Sequence, residues 1–108
     1  MKEEVLYYES HITIEPIFDE RLEMFEKFCR VFAFTPAKLF MQKERDETPE
    51  RSNKDTFCTS KSTNKQELIE RMNNLIGLLR EFGYIVWRYK IEAVIVDEKR
   101  PRKKREEV

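Results

Sequence analysis

Ser10-His11-Ile12-Thr13-Ile14-Glu15 alternates strictly, with Ile12 and Ile14 on one side and Glu9, His11, Thr13 and Glu15 on the other. A period of two marks a strand that is buried on one face and polar on the other. The ordered segment runs from Leu6 to Phe18, and Pro16, which lacks an N–H, ends its regular pairing. The only histidine of the chain therefore stands on a polar sheet face.

Next along the chain, Asp19 reads as the N-cap of a helix running to Phe32. Leu22, Phe25, Phe28, Cys29 and Phe32 form one stripe at helical spacing, opposite Glu20, Glu23, Glu26, Lys27 and Arg30. Thr35-Pro36 breaks the pattern, and Ala37 to Gln42 reads as a second strand. Lys43 to Asp55 is dense in charge and contains Pro49, Ser52 and Asn53, which predicts a polar loop. Thr56 to Ser60 reads as a short third strand.

A second helix opens at Ser62-Thr63-Asn64, where Glu67 follows Asn64 by three residues in the manner of a capping box. Leu68, Ile69, Met72, Leu75, Ile76, Leu79 and Phe82 make its apolar stripe, and Gly83 suits the position just past its end. The last strand spans Tyr84 to Asp97, with Ile85, Trp87, Tyr89, Ile91, Ala93 and Ile95 inward and Arg88, Lys90 and Glu92 outward, flanked by Val86 and Val94. From Glu98 the chain is almost purely charged, so residues 98–108 are expected to be a disordered tail outside a single domain of residues 1–97.

The order strand, helix, strand, strand, helix, strand is the split βαβ pattern of an α+β, ferredoxin-like βαββαβ fold. Its two helices would cover one face of a four-stranded antiparallel sheet. In that topology the first strand lies beside the third and fourth, which puts His11 and Thr13 next to Arg88, Lys90 and Glu92 on the uncovered face. RNA-recognition domains share this strand order, but their aromatic-rich third strand is not matched by Lys54-Asp55-Thr56-Phe57-Cys58-Thr59.

The bulk composition narrows the function classes. At 108 residues the chain can build one core, and 21 Lys and Arg balance 21 Asp and Glu, so partners must be recognised by local patches. Cys29 and Cys58 are too few for a disulfide framework and lack metal-ligand spacing, so neither a metal nor a cofactor is expected. No segment resembles a signal peptide or a membrane span, and the expectation is a cytoplasmic protein. Nucleic acid would be reached only through the basic tail.

On the open face, Arg88 can chelate an oxyanion, Lys90 can neutralise it, and His11 can move a proton near neutral pH. Cross-strand charge pairs of ~0.2–1 kcal/mol each would account for the same residues without any ligand. A dimer or partner interface is the alternative use of the face, with Val86, Val94 and Phe40 as an apolar rim. Cys58 reaches this face only if Phe57 points into the core; otherwise it is buried and inert.

Ser10-His11-Ile12-Thr13-Ile14-Glu15-Pro16-Ile17-Phe18, followed at once by an amphipathic helix, resembles one motif of the 2H phosphoesterase superfamily, the LigT-like RNA ligases and cyclic phosphodiesterases. The resemblance implies His11 as a catalytic acid or base and Thr13 as a phosphate contact. Members use two His-x-Thr motifs, whereas this chain has one, and Phe57-Cys58-Thr59 keeps only the threonine. Two-histidine catalysis would then require a homodimer. The resulting expectation is a phosphorylated or nucleotide-like small molecule bound by His11, Thr13, Thr59, Arg88, Lys90 and Glu92.

Overall fold

The computed structural model describes residues 4–37, 56–96 and 101–106. Their elements run β1 (Glu4–Ile14), α1 (Asp19–Val31), β2 (Thr35–Pro36), β3 (Thr56–Ser62), α2 (Lys65–Glu81), β4 (Val86–Val96) and β5 (Pro101–Glu106). The strands form one antiparallel sheet in the order β2-β3-β1-β4-β5. The class is thus α+β, with both helices contributing to one core against the sheet. No helix of the described residues is long and apolar enough to cross a membrane.

The core follows the two periodicities. Ile12 and Ile14 from β1 meet Phe25 and Cys29 from α1, and Leu68, Met72, Leu75 and Leu79 from α2, all with no exposed surface or almost none. Between them, Tyr84 leans on Phe25 with ring centroids 6.4 Å apart. The α2 start is as the sequence predicts: the Glu67 N–H donates to the Asn64 side chain at 3.0 Å. Gly83 follows the helix with φ 84°, a left-handed conformation that glycine adopts without steric cost. The α1 start differs from expectation. Phe18 holds the N-cap position without a side-chain bond, and Asp19 is the first helical residue at φ 52°, a region aspartate tolerates better than most residues.

A polar hub ties the layers together. Arg71 of α2 donates to Ser60 Oγ at 2.7 Å, and Ser60 Oγ in turn donates to the Ala33 carbonyl at 2.7 Å. The other end of the helix layer is fastened by Arg21, which donates to Glu15 at 3.2 Å and to the Gly83 carbonyl at 3.1 Å.

Three further sequence expectations meet differences. Edge pairing begins at Thr35–Pro36, where a break was expected, with Pro36 opposite Cys58 on an edge strand that can spare its N–H. The remainder of the expected second strand after Ala37, Phe40 and the Lys43–Asp55 loop lie outside the described residues. Residues 101–106, assigned by composition to a tail, pair along β4; the backbone ladder needs no apolar pattern to form.

The third difference is a β-bulge. Thr13 pairs with Arg88 but Ile14 pairs with Val86, so Trp87 is an extra residue in β4. One inserted residue inverts the alternation on its far side. Val86 therefore packs on the core instead of forming an outer rim, while Ile85 and Trp87, expected inside, are 57% and 49% exposed.

Ser10 is fully buried on the core side of β1, and its hydroxyl has no hydrogen-bond partner. Burying an unmatched hydroxyl costs about 1–3 kcal/mol. Ser10→Ala is therefore expected to stabilise the fold by ~1 kcal/mol, seen as a rise of roughly 4–8 °C in Tm. A fall in Tm would show that the hydroxyl has a partner in solution.

Candidate functional site

The pairing register sets out the polar face in rungs. His11 lies between Thr59 of β3 and Lys90 of β4. One rung on, Thr13 lies between Phe57 and Arg88; one rung back, Glu9 lies between Lys61 and Glu92. All six residues singled out from the sequence (His11, Thr13, Thr59, Arg88, Lys90 and Glu92) thus occupy adjacent positions on three neighbouring strands.

The side chains form a compact charged group. His11 Nε2 is 3.3 Å from Glu9 Oε1 and 3.8 Å from Glu92 Oε1. Lys90 Nζ lies 2.8 Å from the same Glu92 oxygen. Glu9 and Glu92 are only 8% and 7% exposed, although they sit directly opposite one another across the β1–β4 ladder. Like charges so placed repel. The Lys90 ammonium offsets that repulsion for Glu92, and a protonated His11 would do so for both.

Chemically, the group can neutralise an anion through Arg88 and Lys90, donate a hydroxyl from Thr13 or Thr59, and exchange a proton at His11. Among the described residues no three His, Cys, Asp or Glu side chains are arranged to hold a metal ion.

Cys58 does not belong to this face. It pairs with Ile12, shares the inward side of the sheet and has no exposed surface. Burial, and then the neighbouring Cys29 thiol, push the Cys58 thiol well above its ordinary value of 9.0. The nucleophilic reading of Cys58 fails on this geometry. A thiol whose value is raised by folding favours the folded state fully below 9.0, and that contribution fades as pH climbs through the raised value. Cys58 is expected to resist a thiol-specific probe at pH 8 in the native protein and to react on unfolding. Rapid native labelling would contradict its burial.

Sequence reasoning missed the aromatic and further basic members of the face. With Cys58 inward, Phe57 points outward beside Thr13; Lys61 stands opposite Glu9, with its amine 5.2 Å from the centre of the Tyr7 ring. Trp87, half exposed, stands beside Arg88 at the bulge. Knowledge of the β3 register would have found Phe57, but nothing in β4 itself signals the extra residue.

Comparison with protein-family models and with curated proteins returns no match for the chain.

Proposed function

We propose that the sheet face turned away from α1 and α2 binds a phosphorylated, nucleotide-like ligand on a ferredoxin-like βαββαβ frame. Arg88 and Lys90 take the phosphate charge, Thr13 and Thr59 donate hydroxyls to it, and His11 serves as the proton-transferring group, as in one lobe of a 2H phosphoesterase. The supporting observation is the register: Thr59–His11–Lys90 and Phe57–Thr13–Arg88 are consecutive rungs of one sheet. The strand order β2-β3-β1-β4, with β1 central, suits the ferredoxin-like reading.

The interface alternative loses part of its basis. Of its apolar rim, Val86 packs on the core and Val94 is buried.

A thermal-shift series with nucleotides and phosphorylated metabolites tests the proposal. A ligand at a hundred times its Kd adds about 2.7 kcal/mol, a shift of many degrees for a domain of this size. Arg88→Ala is expected to weaken that ligand by roughly 10- to 100-fold, the loss of a charge-assisted hydrogen bond. His11→Ala should abolish any turnover of a cyclic or linear dinucleotide while leaving binding within a few-fold. A panel without a single stabilising compound would overturn the proposal.

A further inference from the structure

Both cysteines of the chain lie in the core, and the fold brings them together. Cys29 stands in the last turn of α1 on its buried side, and Cys58 points inward from β3, each with no exposed surface. Their side chains share a hydrogen bond. A single buried cysteine fills space as a small apolar side chain does. Two that meet inside the core are the ingredients of a cross-link.

The backbone around them is held from both sides. The Cys29 carbonyl accepts from the Phe32 N–H at 3.1 Å and from the Phe34 N–H at 2.8 Å. Just beyond, Pro36 stands opposite Cys58 in the ladder, and Ser60 Oγ donates to the Ala33 carbonyl at 2.7 Å. The turn that leaves α1 therefore carries the chain directly from Cys29 to the strand position beside Cys58. Disulfides imposed on a fold fail when they pull its backbone out of place. Here the junction is already fastened, and two short side chains need only close their contact to a bond of about 2.0 Å.

We infer that Cys29 and Cys58 form an intramolecular disulfide when the chain meets hydrogen peroxide, latching the last turn of α1 to β3. One sulfur, as thiolate, attacks a peroxide oxygen; the O–O bond breaks, a sulfenic acid forms, and the departing hydroxide takes up the thiol proton to become water. The second sulfur then attacks the sulfenic sulfur. The S–S bond forms, the S–O bond breaks, and the hydroxyl leaves as a second water with the second thiol proton. Two electrons and two protons thus pass from the thiols to the peroxide.

Neither sulfur meets solvent in the folded state, so the reaction follows local opening at the end of α1 and is slow in the native protein. The latch is therefore a cumulative record of exposure to oxidant rather than a fast sensor, and once closed it is shielded from reductants by the same burial. It is independent of any ligand on the polar face, because both sulfurs lie on the core side of the sheet.

The test incubates the reduced full chain with hydrogen peroxide, alone and in urea below the unfolding midpoint. The expected product is a monomer lighter by two hydrogens, whose digest contains one peptide pair joining Cys29 to Cys58. Its Tm should rise on the order of 10 °C, because the bond closes a loop of about 30 residues. Urea should speed the reaction, and dithiothreitol in the same urea should restore the original Tm. Cys29→Ala and Cys58→Ala should each lose the peroxide-dependent rise, and either serves if the other melts too low to assay. The inference falls if peroxide leaves both thiols intact even in urea, or yields only sulfinic acids or disulfides between chains. An intramolecular bond that lowers Tm would equally overturn it, since the native junction would then not accommodate the cross-link.

Discussion

Phe25→Ala should lower stability by about 3–5 kcal/mol, the range for removing a buried aromatic ring. Phe25 is fully buried at the point where α1, Tyr84 and the sheet side of α2 converge. Its neighbours come from separate elements held by backbone ladders and helices, so the space cannot simply collapse. For a domain whose total stability is of the order of 5–15 kcal/mol, the loss is a third or more. Urea denaturation should show the midpoint falling steeply at an unchanged slope. A cost under about 1 kcal/mol would mean that the α1 stripe does not pack as described.

Lys90→Leu should be the most damaging single change on the polar face. It leaves Glu92, 7% exposed, opposite Glu9 without its 2.8 Å ammonium partner. Removing one member of a fully buried ion pair costs about 3–5 kcal/mol. Lys90 is itself partly solvated, with 30% of its side chain exposed, so a loss of roughly 1–3 kcal/mol is expected. Glu92→Leu should cost far less, because it removes the carboxylate repulsion and leaves an ammonium that water can reach. The double variant should recover most of the Lys90→Leu loss, giving a coupling of more than ~1 kcal/mol in a double-mutant cycle. Additive effects would mean that Lys90 and Glu92 act independently.

Several elements were legible because side-chain chemistry alone determines them. β1 declares itself by alternation, and α2 by its Asn64–Glu67 start, apolar stripe and Gly83 finish. The candidate group of six followed from strand order, and the register puts those residues on adjacent rungs. What escaped depended on phase. In β3, Phe57 and Cys58 are both apolar, so either could have faced inward until pairing with β1 fixed the choice. In β4, one extra residue at Trp87 reversed the inward set beyond it, and the strand is apolar enough on both sides to hide the reversal. β5 carries no apolar pattern, and the backbone ladder that joins it to β4 needs none.

The two outermost described strands share a property that bears on solubility. β2 offers only two residues of ladder, one of them proline. β5 begins with Pro101 and carries Arg102, Lys103, Lys104 and Arg105 in sequence. Neither margin is a good template for a second molecule to extend the sheet: one is too short, and at the other two copies would bring like charges into register. The apolar Val94-Ile95 stretch of β4 is thereby flanked by a strand that repels its own kind. The same run of charge that reads as a tail in the sequence thus makes a poor template for fibrous self-association.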